Sequence, residues 1–116
     1  MSKEDNIACG PGDLMAVKDA LDTLNGSWKL QILIVLFNGP KRFREIVRDI
    51  DGISDKMLSK ELKDLEENLL VKRTVYETFP PKVEYAVTEH TKTLNAVITE
   101  LMNWGKLHRK AIIKKG

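Results

Sequence analysis

A chain of 116 residues fits one domain and can bury a usable core. With 42% hydrophobic and 31% charged residues it has the balance of a soluble globular protein, which excludes the disordered and membrane-spanning classes. The longest apolar run, residues 32–37, is far too short to cross a bilayer, and no apolar signal region follows Met1-Ser2-Lys3-Glu4-Asp5, so no export is expected. A net charge of +2 does not by itself point to nucleic acid, but its distribution is uneven: Lys41, Arg42, Arg44 and Arg48 cluster, and residues 106–115 are basic without an acid.

Residues 1–12 carry Gly and Pro without periodicity and read as an arm ahead of a single domain, residues 13–116. Asp13 is a candidate N-cap for a first helix whose apolar residues, Leu14, Val17, Leu21 and Leu24, share one face. Asn25-Gly26 stops it, and Ser27 is placed to cap a second helix, residues 28–37, apolar nearly all round and therefore expected at the centre. After Asn38-Gly39-Pro40, a short third helix carries Phe43, Ile46, Val47 and Ile50 as its apolar set. Ser54 caps a fourth helix in which Leu58, Leu62 and Leu65 form one stripe and Lys56, Lys60 and Lys63 the opposite face. Residues 71–78 and 83–87 alternate as strands do, and Thr88 is placed to cap a long last helix with Leu94, Val97, Ile98, Leu101 and Trp104 near heptad spacing.

That order predicts an α+β fold, a winged helix-turn-helix with extra N- and C-terminal helices. A helix that reads a major groove needs an outer face free of bulky apolar groups and rich in donors. Ser54, Lys56, Ser59, Lys60 and Lys63 fit that description; Lys82, between the strands, is the wing residue for a phosphate or a narrow minor groove; Arg42, Arg44 and Arg48 would flank the backbone. The plainer readings are a solvated helix face, a hairpin-tip lysine that discourages edge pairing, and surface arginines that keep the protein soluble. Residues 54–68 even hold more acids (Asp55, Glu61, Asp64, Glu66, Glu67) than bases, but most lie late in the helix or on its flanks.

Several linked stretches carry a resemblance: Ala20-Leu21-Asp22 leading to Gly26-Ser27-Trp28-Lys29, then Asn38-Gly39-Pro40-Lys41-Arg42-Phe43, Gly52-Ile53-Ser54-Asp55-Lys56-Met57-Leu58, Val71-Lys72-Arg73-Thr74-Val75-Tyr76 and Pro80-Pro81-Lys82-Val83-Glu84-Tyr85, closed by Trp104-Gly105 with His108. From Cys9 to His108 the chain resembles the HxlR family of bacterial winged-helix transcriptional regulators. The resemblance implies a homodimer on a near-palindromic operator in double-stranded DNA, with the first and last helices forming most of the dimer contact. Four positions depart from the family pattern. Leu69 stands where the family usually has Gly, which predicts that the fourth helix ends through left-handed geometry at Asn68; Asp55 replaces a frequent Gln, Ser27 a common Lys, and Gly10 a common Pro.

In the family a cysteine at the place of Cys9 senses oxidants or electrophiles in some members, and the helix start just after Cys9 would favour thiolate; the alternative is an inert thiol packed under the first helix. A lone cysteine suits a reducing cytoplasm. His90 and His108 have no ligand spacing with Cys9, so no metal site or other cofactor is expected. His90 is expected at the surface and His108 at the interface near Trp104. No Ser/His/Asp grouping, P-loop or dinucleotide turn appears, and an enzyme is not expected. The rival readings are a winged-helix protein-interaction module without DNA binding, a small enzyme, and a regulator controlled by a small ligand between the first and last helices. In that third case Trp28 and Trp104 would line a cavity in place of plain core.

Overall fold

The computed structural model describes residues 10–115, so Cys9 and the rest of the N-terminal segment lie outside the described residues. Helix α1, Pro11–Thr23, starts three residues earlier than an Asp13 cap predicts. Proline suits a first helical turn because its missing N–H would have no partner there. Asp13 is therefore not the N-cap; it sits at the third helical position, and its Oδ2 accepts from the Gly10 N–H at 3.0 Å. No residue of α1 is buried.

Helix α2, Lys29–Leu36, runs through the middle of the domain with Ile32, Leu33 and Leu36 sealed, while Ile34 reaches the surface. Ser27 does not cap it through its side chain; Trp28 is the cap residue, and the Ser27 carbonyl accepts from Gln31 Nε2 at 2.6 Å. Helix α3, Phe43–Asp49, is opened by Glu45, whose Oε1 accepts from the Arg42 N–H at 2.8 Å. Helix α4, Asp55–Glu67, starts where the sequence places it, with Ser54 Oγ accepting from the Met57 N–H at 3.1 Å. Its Leu58, Leu62 and Leu65 meet Ile32, Leu33, Ile46 and Ile53 in one core. The helix ends through Leu69, at φ 61°, and not through Asn68. The Leu69 N–H donates to the Glu66 carbonyl at 3.0 Å and the Leu70 N–H to the Leu65 carbonyl at 2.9 Å, the paired closure of a Schellman motif.

Strands β1, Val71–Tyr76, and β2, Lys82–Val87, form an antiparallel hairpin in the register Val71 to Val87 and Tyr76 to Lys82. Lys41 adds a rung on the outer side of β2, exchanging both backbone bonds with Tyr85 at 2.9 and 2.8 Å. Strand β1 stops short of Thr78, whose N–H turns back to the Tyr76 carbonyl. Its alternation does not seal a face: Val71 is buried, but Arg73 and Val75 are exposed, because the hairpin leaves the core after its first rungs.

Thr88 Oγ1 accepts from the Thr91 N–H at 3.2 Å, but the turn it opens is a 3-10 turn, Thr91–Leu94, before helix α5, Asn95–Lys115. In that turn Lys92 Nζ donates to Glu89 Oε1 at 2.8 Å, and this bond and the lysine charge hold the carboxyl below its usual range. Thr88 Oγ1 also donates to the Leu69 carbonyl and Thr91 Oγ1 to the Leu70 carbonyl, which ties the root of α5 to the end of α4. Beyond Ile98, α5 projects away from the core. The radius of gyration is accordingly 17.3 Å, against about 13 Å for a compact domain of this length.

Candidate nucleic-acid interface

Helix α4 separates its residues by chemistry. Lys56, Ser59, Lys60 and Lys63 fall at i, i+3, i+4 and i+7 and are all exposed, while Leu58, Leu62 and Leu65 are fully buried on the opposite side. Ser54, just ahead of them, is exposed, but its oxygen is occupied as the helix cap. Three of the acids in this segment are engaged in ion pairs, though only Glu61 is buried. Glu61 is buried against Lys29 at 2.9 Å, Asp64 lies 3.6 Å from the same ammonium, and Asp55 pairs with Arg44. The middle of the outer face is thus dominated by its lysines, with exposed acids at the two ends of the helix, Asp55 (paired with Arg44) and Glu67.

A separate open groove of about 730 Å³ lies between α3 and the wing, lined by Arg42, Arg44, Arg48 and Lys82 together with Glu45 and Glu84. Residues assigned in the sequence to two separate roles, backbone flank and wing, therefore face one space. They are not equally available. Arg44 is held by Asp55 and lies 5.2 Å from the Phe43 ring centre, and Lys82 is 3.4 Å from Glu84 and 5.3 Å over the Tyr76 ring. Arg42 and Arg48 take part in no ion pair among the described residues. Lys82 is the first residue of β2, one step inside the loop, and the tip belongs to Phe79, which is fully exposed.

The remaining sequence candidates are scattered. Cys9 lies outside the described residues. His90 is exposed at the 3-10 turn, and His108 stacks on Trp104 with ring centres 4.8 Å apart. Trp28 packs partly buried against the core, whereas Trp104 is 60% exposed, so Trp104 is not core within one copy of the chain. A hollow of about 250 Å³ does lie between α1 and the 3-10 turn, but Leu24, Leu70, Leu94, Asp19 and His90 line it, and neither tryptophan does. No group of His, Cys, Asp and Glu among the described residues could hold a metal ion, and no described helix is long and apolar enough to cross a membrane.

Residues 23–112 match the family model described as HxlR-like helix-turn-helix. The chain belongs to the HxlR family of transcriptional regulators. This HxlR chain is 39% identical over 98 residues to the HTH-type transcriptional regulator YdeP of Bacillus subtilis (strain 168), which spans 84% of the chain and 77% of YdeP. It is 43% identical over 88 residues to the HTH-type transcriptional regulator YodB of the same organism, spanning 76% of the chain and 79% of YodB. Among solved structures, the reduced form of the redox regulator HypR superposes with a TM-score of 0.80 at 35% identity, covering 85% of this chain and 98% of HypR. The HxlR fold thus bears out the winged helix expected from the order of elements.

Sequence reasoning missed the most buried charges of this HxlR domain. Lys29 is 6% exposed and Glu61 5%, with Asn25 Oδ1 a further partner of the ammonium at 3.4 Å. The signal was available: Lys29 opens an otherwise apolar helix, and Glu61 falls between Leu58 and Leu65 on the stripe that faces it.

Proposed function

We propose that two copies of this chain, each an arm of residues 1–12 on a single domain of residues 13–116, pair through α1 and α5. The pair sets both copies of α4 in successive major grooves of a near-palindromic duplex. The observation that carries this reading is the outer face of α4, whose lysines and serines stand exposed, with Arg42, Arg44, Arg48 and Lys82 gathered around a separate, largely cationic groove under the wing. Ser54, Lys56, Ser59, Lys60 and Lys63 meet base edges and nearby phosphates; Arg42, Arg44, Arg48 and Lys82 hold the backbone on either side. For Arg44 that requires exchange of Asp55 for a phosphate, which an exposed ion pair permits at small cost. The two copies of α4 then lie about 34 Å apart, one duplex turn. Such a regulator works in the cytoplasm.

Support for the pairing comes from the apolar residues that one copy leaves uncovered: Leu14, Val17 and Leu21 on α1, and Val97, Leu101 and Trp104 on α5. The test is titration of duplexes selected from fragmented genomic DNA over a range of salt. Tight binding with a steep salt dependence, lost in Lys60→Ala/Lys63→Ala, is the expected result. A shallow dependence, or no selected duplex at all, would return the chain to a protein-interaction module.

A second element of the reading is redox control through Cys9. The similar structures include HypR in reduced and oxidised forms and YodB in reduced and diamide-treated forms, which supports a thiol role for Cys9 here. Diamide is expected to change duplex affinity in the unsubstituted protein and to leave Cys9→Ser unaffected. An equal response in both would move control to a small ligand, for which the hollow beside α1 offers space.

A further inference from the structure

The ammonium of Lys29 sits where three segments meet. It donates to Glu61 Oε2 at 2.9 Å, lies 3.6 Å from Asp64 Oδ2, and donates to Asn25 Oδ1 at 3.4 Å. Glu61 lies on the buried side of α4 and Asp64, three residues on, at its edge; Lys29 is the first residue of α2, and Asn25 belongs to the short link that follows α1. No buried side-chain polar atom of the described residues lacks a partner; the second Glu61 oxygen, Oε1, lies 3.7 Å from the exposed Lys60 ammonium, and Asp64 is partly open to solvent.

An apolar stripe alone holds a helix loosely about its own axis. Contacts of Leu58, Leu62 and Leu65 are non-directional, and a rotation or slide of a fraction of a turn exchanges one set of van der Waals contacts for another at modest cost. A short ammonium–carboxylate bond is directional and, when buried, is disrupted at high cost, so it selects one rotation. Glu61 and Asp64 lie on the turns that also carry Ser59, Lys60 and Lys63 on the outer face. Their bond to Lys29 therefore decides where those outer side chains aim. The bond to Lys29 acts on their direction, while the other Glu61 oxygen lies 3.7 Å from the Lys60 ammonium.

We infer that Lys29 is a positioning residue for DNA readout: through Glu61 and Asp64 it sets the rotation of α4 about its axis, and through Asn25 it links that rotation to the end of α1. The inference rests on the proposed use of α4 as the reader. Its consequence is a separation of two quantities. Affinity for any duplex, which comes from the exposed cations, does not depend on the cluster; discrimination between sequences, which needs base-edge donors aimed to within a fraction of an ångström, does.

The experiment uses the full chain and two variants, Lys29→Met/Glu61→Leu, which replaces the buried pair by apolar groups of similar volume, and Glu61→Gln, which keeps shape and a hydrogen bond. The probes are a 40-base-pair duplex selected by the unsubstituted protein from a random pool and a scrambled duplex of the same composition. Each protein is first melted to establish that it folds cooperatively. In the folded double variant, discrimination is expected to fall by about tenfold, the scale of one misaimed base contact, with binding to the scrambled duplex not weakened, whereas Glu61→Gln, which keeps the bond to Lys29, is expected to retain discrimination. A double variant that melts cooperatively and keeps the full discrimination overturns the inference, since the pair would then be interchangeable packing. A parallel loss on both duplexes overturns it as well. Failure of the unsubstituted protein to select any duplex strikes instead at the DNA-reading role itself.

Discussion

Leucine in the left-handed region is disfavoured because its Cβ crowds the following carbonyl, and Leu69 holds that conformation at φ 61° while 72% exposed. Nothing is gained from its side chain there; the Schellman bonds after α4 need the backbone shape alone. Leu69→Gly is therefore expected to raise stability by about 0.5–1 kcal/mol, the relief of strain exceeding the added freedom of the unfolded chain. Urea denaturation checks it: the midpoint rises and the slope stays constant. Lys82 is expected to act on a phosphate, so Lys82→Ala should weaken binding alike for all sequences and lower the salt slope by about 1 in titrations with duplex DNA. A loss confined to one base position would contradict this. Phe79 is bare at the wing tip, and Phe79→Ala should leave the unfolding free energy within about 0.5 kcal/mol of the unsubstituted protein in urea denaturation.

The behaviour of α4 depends on how its two faces are anchored. The helix is capped by Ser54, packed through Leu58, Leu62 and Leu65, clamped by Lys29, and tied at its far end to Thr88 and Thr91 through the Leu69 and Leu70 carbonyls. Removing one support affects stability according to its burial. Ser54→Ala is expected to cost about 1 kcal/mol, the usual value of a cap, and Leu62→Ala about 2–5 kcal/mol, because a fully buried leucine leaves a cavity among rigid neighbours. Lys29→Met alone should cost about 3–5 kcal/mol, since it strands the Glu61 carboxylate in the core; the Lys29→Met/Glu61→Leu pair should recover most of that loss. Thermal melts of the four variants rank these contributions directly.

At the scale of the whole molecule, most apolar side chains of the terminal helices, Ile98 apart, are left uncovered among the described residues of one chain. Met15, Leu21, Leu101, Trp104, Leu107 and Ile113 are all exposed, on helices that extend the domain to 63 Å along its longest axis. A single copy with this much uncovered apolar surface is expected to associate. The unsubstituted protein should sediment at twice the 13.2 kDa chain mass, and Leu101→Glu/Trp104→Glu should shift it to the mass of one chain while the core fold survives. Duplex affinity should fall with it, because one copy of α4 reads only half of a two-fold site.

Local patterns in the sequence were enough for the order of elements, the Ser54 cap, the inner stripe of α4 and the outward lysines, because helix and strand periods and cap chemistry act over a few neighbouring residues. The linked stretches from Gly26 to Lys82 were also enough for the family. Three features were settled only when distant segments met. The pairing of Lys29 with Glu61 spans 32 positions and depends on two helices crossing at that point. The grouping of Arg42, Arg44, Arg48 and Lys82 around one groove depends on where the hairpin lies against α3. The choice of Leu69 over Asn68 for the left-handed turn follows from burial: Leu70 must enter the core beside Leu65, and that direction leaves Leu69 to absorb the reversal. Short-range chemistry thus chose the elements, and non-local packing chose which charges face water, which face one another, and which residue carries the strain.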